Sequence, residues 1–125
     1  MNKKLDKKVL IVEDDEDFVS ILKIKFEGEG FLVVTADDGE NGIEVAEKEK
    51  PDLILSDVLL PKIDGIEMVK KIRESDKNTP VIFLSNLTDV DHSSETEKLG
   101  SEYLIKASLK ISDIVEKVKI KLGIS

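Results

Sequence analysis

Six residues of this 125-residue chain have types and spacings that could do chemistry together. Glu13, Asp14 and Asp15 follow one short apolar run, and Asp57, Ser85 and Lys106 stand at or just past the ends of three others. Two like charges 4 Å apart repel by roughly 4 kcal/mol at an effective dielectric of about 20. Carboxylates gathered at one place therefore call for a proton or a cation between them. Hard oxygen donors suit a divalent ion, and Mg²⁺ fits one or two carboxylates, a carbonyl, waters and a phosphate oxygen. Lys106 would add positive charge for an incoming phosphate, and Ser85 a hydroxyl donor. The chain has no cysteine, and no serine has a plausible base beside it. A carboxylate is then the expected nucleophile, with Asp57 the central candidate.

The elements that must bring these residues together are legible as alternating patterns. Val9–Val12 is brief, continuous and β-branched, as a strand buried on both faces should be. Phe18, Val19, Ile21, Leu22 and Phe26 recur at helical spacing until Gly28 and Gly30 end the pattern. Phe31–Thr35 is a second predicted strand, and a helix over Gly42–Lys48 closes at Pro51. Leu53–Ser56 is the third strand, with Asp57 at its end. Asp64 is the expected N-cap of a helix carrying Ile66, Val69 and Ile72. Val81–Leu84 is a fourth strand. Thr88 and Asp91 have capping-box spacing for a fourth helix reaching Leu99 and closed by Gly100. Tyr103–Ile105 is a fifth strand, and Ile111, Ile114, Val115, Val118 and Leu122 stripe a last helix that Gly123 stops.

Five strand-then-helix units predict an α/β, doubly wound, five-stranded parallel sheet with five helices and strand order 2-1-3-4-5. In such a sheet the residues just past each strand's C-terminus line one edge, where ligands bind near the reversal of strand order. Asp14 and Asp57 should then face each other. One domain over 1–125 is expected, with its core at about 8–122. Met1 and the short tail after the last helix suggest a stand-alone chain.

Composition narrows the classes. Hydrophobic residues make up 40% and charged residues 37%, which excludes a disordered or membrane-embedded chain. A formal net charge of −8 argues against direct nucleic-acid binding through phosphates. The basic start at Lys3 and Lys4 is followed by too short an apolar run for export, so a cytoplasmic location is expected.

The strings VLIVEDDEDF, PDLILSDVLLPKIDG, PVIFLSN and YLIKA together resemble the receiver domain of two-component response regulators, the CheY-like, flavodoxin-like family, over about Lys8 to Leu122. The resemblance implies a phosphorylation-activated domain that is not an enzyme in its own right but assists its own phosphoryl transfer and dephosphorylation. Asp57 would be the phosphoacceptor. Asp14 would ligate Mg²⁺ directly, Glu13 through water, and the Leu59 backbone carbonyl would complete the protein ligands. Ser85 and Lys106 would bond the phosphoryl oxygens, and Tyr103 would be the aromatic switch. The implied partners are a histidine kinase or phosphotransfer protein as donor. A downstream protein or a second copy would be met through the face of the fourth helix, fifth strand and last helix.

Several positions set expectations of their own. Ala107 follows Lys106 where the family often has proline, which puts a cis peptide there in doubt. Asn86 stands where a smaller residue is usual and would narrow access to Asp57. Leu59 and Leu87 flank the site and are expected to hinder the attacking water. Between Val90 and Leu99 no clearly apolar residue stands, which predicts a weakly anchored fourth helix. Asp15 and Asp17 read as favourable charges at a helix start, and His92 as a surface residue. Rival classes fit less well. A nucleotide-binding domain needs a glycine-rich loop where acids stand. An aspartate-nucleophile phosphohydrolase usually carries a second Asp at the position of Leu59. A phosphorylation-independent pseudo-receiver, acting as a binding module, is the remaining alternative.

Overall fold

The computed structural model describes residues 6–85, 102–105 and 109–124. Along the chain come β1 (Lys8–Val12), α1 (Glu16–Gly28), β2 (Leu32–Ala36), α2 (Gly39–Glu49), β3 (Leu53–Asp57), α3 (Gly65–Arg73), β4 (Val81–Ser85), β5 (Glu102–Ile105) and α4 (Ile111–Lys121). All strand pairings are parallel, in the order β2-β1-β3-β4-β5. This is the doubly wound, flavodoxin-like sheet expected from the sequence, with four helices among the described residues. The expected fourth helix, with Thr88, Asp91, His92, Leu99 and Gly100, lies outside them. So do Asn86, Leu87, Lys106 and Ala107. None of the described helices is long and apolar enough to cross a membrane.

The two-residue pleat of the strands divides the core into two layers. Val9, Ile11, Leu53, Leu55, Ile82 and Leu84 face α1 and α4, where they meet Leu22, Phe26, Ile114, Val115 and Val118. Leu10, Val12, Ile54, Val81 and Phe83 face the opposite way, onto Ile66, Met68, Val69 and Ile72 of α3 and the partly buried Ile43 and Ala46 of α2. A parallel sheet covered on both faces needs such unbroken apolar strands, and β1 and β3 have them.

Three sequence expectations are corrected at element boundaries and faces. The second strand starts at Leu32, because Phe31 is used to plug the end of α1. Its N–H donates to the Phe26 carbonyl at 3.1 Å, and the two rings meet edge-to-face at 5.3 Å. That strand runs on to Ala36, which pairs with Val12. The second helix begins at Gly39, three residues early, because Asp38 caps it by accepting the Asn41 N–H at 2.7 Å. Ile21, read as part of the apolar stripe of α1, is 52% exposed; the stripe that reaches the sheet is carried by Leu22 and Phe26. Asp15 caps α1 through the amides of Asp17 and Phe18, as its expected role at a helix start requires.

Two close approaches seat α2 and α3 near the sheet edge. A Cβ on Gly39 would overlap the Ile63 carbonyl, and one on Gly65 would overlap the Asp57 carbonyl and press on Ser56 Oγ. Backbone cannot yield as a flexible side chain can. Gly65→Ala should therefore lower stability by about 1–3 kcal/mol. Gly28→Ala, which meets no atom within 4 Å, should instead raise it by roughly 0.5–1 kcal/mol. Urea unfolding midpoints of the two variants, moving in opposite directions, would verify this.

Candidate functional site

The site is built at the C-terminal edge of β1, β3 and β4. Because β1 and β3 are neighbours in register from Val9–Leu53 to Val12–Ser56, the residues that follow them emerge side by side. Glu13 is held by its own N–H, which donates to the Ala36 carbonyl at 3.0 Å. Its side chain is only 5% exposed and lies within 3.4 Å of the Asp15 amide, which donates to it. Asp14 is exposed, and Asp57 is half-buried.

Carboxylate oxygens of Glu13, Asp14 and Asp57 all lie within 4.8 Å of one another. Three acids so placed repel by roughly 3 kcal/mol per pair at an effective dielectric of about 20, less wherever water reaches them. The donor set is all hard oxygen, which suits Mg²⁺ or a similar ion rather than a metal that prefers sulfur or nitrogen. The residues therefore fit the divalent cation that the sequence implied. A cleft of about 710 Å³ opens beside Glu13 and Asp14, walled by Glu16 and Val19 of α1, Asp37 and Asp38 after β2, and Asn41 of α2. Its acidic walls favour cations over anions.

The loop after β3 is locally braced. The Leu59 N–H donates to Asp57 Oδ1 at 3.3 Å. Ser56, buried beneath the site, donates its hydroxyl to the Asp57 carbonyl at 2.8 Å. The Gly65 N–H donates to the Val58 carbonyl at 2.7 Å, and Asp64 caps α3 through the Glu67 N–H at 2.8 Å. The side chain of Leu59 is 60% exposed.

Ser85 ends β4, one position beyond the Leu84 that pairs with Asp57. It is buried, at 1% exposure. Tyr103 pairs with Phe83 and is half-buried against the α2–α3 layer. The pleat puts Ser85 and Tyr103 on the same face of adjacent strands, two positions apart in register. Of the sequence candidates, the structure thus brings together Glu13, Asp14 and Asp57, with the Leu59 backbone and Ser85 beside them and Tyr103 one step further along the sheet. Lys106 lies outside the described residues. Sequence reasoning missed Ser56, whose hydroxyl bonds the carbonyl of the next residue, Asp57, and the Asp38 cap, which the Asp-Gly-Glu-Asn stretch could have signalled.

Residues 9–119 match the model of the response regulator receiver domain family. The chain belongs to that family. This receiver domain is 46% identical over 81 residues to the alkaline phosphatase synthesis transcriptional regulatory protein PhoP of Bacillus subtilis, covering 65% of this chain and 34% of that protein. It is 31% identical over 115 residues to the sporulation initiation phosphotransferase F of the same organism, covering 92% of this chain and 93% of that one. In three dimensions it resembles a chain of the CheX-CheY-BeF3-Mg+2 complex of Borrelia burgdorferi, with a TM-score of 0.83, 31% identity, and coverage of 90% of this chain and 87% of that chain. The receiver domain spans between 34% and 50% of the length of PhoP and three other transcriptional regulators it matches. It is a response regulator receiver domain of the two-component type.

The carboxylate cluster makes a stability signature. In a chelator, Asp14→Asn should raise the thermal midpoint by relieving repulsion, an effect on the order of 1 kcal/mol given the exposure of Asp14. Millimolar Mg²⁺ should raise the midpoint of the wild-type chain and do so much less in the variant. Calorimetry with and without Mg²⁺ reads both.

Proposed function

We propose that this receiver domain accepts a phosphoryl group on Asp57, with Mg²⁺ as cofactor, and that the modification switches its affinity for a protein partner. The observation that carries this reading is the convergence of Glu13, Asp14 and Asp57 within 4.8 Å at the strand ends of a receiver fold. In this reading Asp14, Asp57 and the Leu59 carbonyl hold the cation, with Glu13 acting through water. When bound, the cation neutralises the acidic cluster and the charge that develops on the transferring phosphoryl oxygens.

The donor is a phosphohistidine of a kinase or phosphotransfer protein, or a small phosphodonor. An Asp57 carboxylate oxygen attacks phosphorus, the O–P bond forms as the donor's N–P bond breaks, and the histidine departs with a proton. The chain is thus a substrate that assists its own modification rather than an enzyme with turnover on others. The likeness to a phosphotransferase over nearly the full length of both chains supports such chemistry, as does the Mg²⁺- and beryllium fluoride-bound complex of the Borrelia relative.

Phosphorylation adds roughly two negative charges and three strong acceptor oxygens. Ser85, buried one position past Asp57's partner, and Lys106 bond those oxygens only in the modified state. A few kcal/mol of such differential interaction inverts a two-state equilibrium. Tyr103, on the same face as Ser85, moves into the space that Ser85 leaves. The output surface includes β5 and α4 and meets a downstream protein or a second copy, without direct contact to nucleic acid. The reaction is placed in the cytoplasm, where kinase donors reside.

Intact mass after incubation with a small phosphodonor provides the test. One phosphoryl group should be gained with Mg²⁺, and none without Mg²⁺ or in Asp57→Ala. A wild-type chain that gains nothing and also fails to bind beryllium fluoride with Mg²⁺ would be a phosphorylation-independent binding module. Leu59→Asn combined with Leu87→Asn should shorten the phosphoryl lifetime severalfold by admitting the attacking water. An unchanged decay rate would rule out that role for the two leucines.

A further inference from the structure

The segment joining Asp57 to α3 is fastened by contacts that the metal-site reading does not use. Lys62 adopts a left-handed backbone conformation, with φ of 71°. A side chain with a Cβ persists there only where its surroundings impose it. Its Nζ lies 3.7 Å from Asp38 Oδ2 and 3.9 Å from Glu40 Oε2, at the start of α2. The other oxygen of Asp38 accepts the Asn41 N–H, so a single carboxylate caps the helix and holds the lysine. On either side of Lys62 the backbone is fastened to the same helix end. The Pro61 carbonyl accepts the Gly39 N–H at 3.3 Å, and the Ile63 carbonyl fills the space that a Cβ on Gly39 would take. At its far end the segment is closed by the Gly65 N–H on the Val58 carbonyl. Leu59, whose carbonyl faces the task of ligating the cation, lies inside this fastened bend.

We propose that Lys62 is a positioning residue: tied to Asp38 and Glu40, it holds the 58–64 segment in the bend that presents the Leu59 backbone carbonyl to a divalent cation at Glu13, Asp14 and Asp57. The proposal rests on the Mg²⁺ reading above. It also predicts a sign that simple electrostatics reverses. Lys62 is a cation near an acidic cluster, so by charge alone its removal would tighten divalent binding. As a tie, its removal loosens the bend and weakens binding. Lys62 is 57% exposed and each ion pair is long, so the effect is modest, about two- to fivefold in Kd.

The test is Mg²⁺ titration calorimetry on the full chain, with amide hydrogen exchange at Gly39 as a second readout. Lys62→Ala should raise the Mg²⁺ Kd two- to fivefold and speed exchange of the Gly39 amide. Lys62→Gly should do the same, and it guards against misfolding because glycine takes a positive φ without strain. Lys62→Arg, which keeps the ion pairs, should stay near wild type. Asp38→Asn keeps the helix cap but loses the pair. It should therefore weaken binding more in the wild-type chain than in the Lys62→Ala chain. Unchanged or tighter Mg²⁺ binding in Lys62→Ala and Lys62→Gly, beside a wild-type chain that binds, would overturn the positioning role alone. A wild-type chain that binds no Mg²⁺ would overturn the metal reading and this proposal with it.

Discussion

Holding three carboxylates within 4.8 Å of one another is the constraint on which the architecture turns. No unfolded chain would keep them so close against their repulsion, and no loop of polar residues would either. What holds them is a pair of neighbouring strands in which Val9–Val12 and Leu53–Leu55 are almost fully buried. Apolar burial at roughly 25 cal/mol per Å² supplies enough stabilisation to outweigh a local repulsion of a few kcal/mol. The cost is deposited at the strand ends, where a cation can recover it. Glu13 shows the arrangement most plainly: its backbone belongs to the ladder with Ala36, and its side chain is buried at the rim.

Around that cluster the fold is tightest where backbone meets backbone. Gly39 lets the Ile63 carbonyl approach α2, and Gly65 lets α3 begin directly on the Asp57 carbonyl, with Ser56 bracing the same oxygen from below. The loop that follows Asp57 is thus confined between two helix N-termini, each capped by an aspartate, Asp38 and Asp64. A loop confined at both ends can offer a carbonyl at a defined place with little entropy left to lose, which is what a ligand for an exacting octahedral ion must do. Elsewhere the surface is held by weaker means. Lys119 pairs with Glu29 across α4 and α1 at 2.6 Å, and the hydrogen bond and charge of that lysine hold the Glu29 carboxyl below its usual range. Both side chains remain partly exposed, so the pair orients the two helices more than it stabilises them.

Most of the fold was legible in the sequence because its signals are local. The brief β-branched runs, the helical stripes ending at glycine or proline, and the capping role of Asp64 each follow from residue type and spacing within a dozen positions. Five repeats of the same unit then left few topologies to choose from. The acidic residues could be assigned to one edge because parallel strands share a direction. Where the sequence misled, a contact between distant or folded-back residues was responsible. Phe31 is as good a strand residue as Leu32 until it meets Phe26. Ile21 has helical spacing, but the helix has only one face to give to the sheet.

Sequence alone determined the chemistry on offer: acids after two buried strands, a hydroxyl after a third, and a lysine after the last. Tertiary structure alone decided how near those groups come and what keeps them there. The distances among Glu13, Asp14 and Asp57 depend on strand register, which no single segment encodes. The seats at Gly39 and Gly65 and the tie from Lys62 to Asp38 join residues whose partners are fixed only when α2 and α3 pack on the sheet. Residue type sets what a group can do, whereas the work of holding it in place falls to long-range packing, which local patterning does not record.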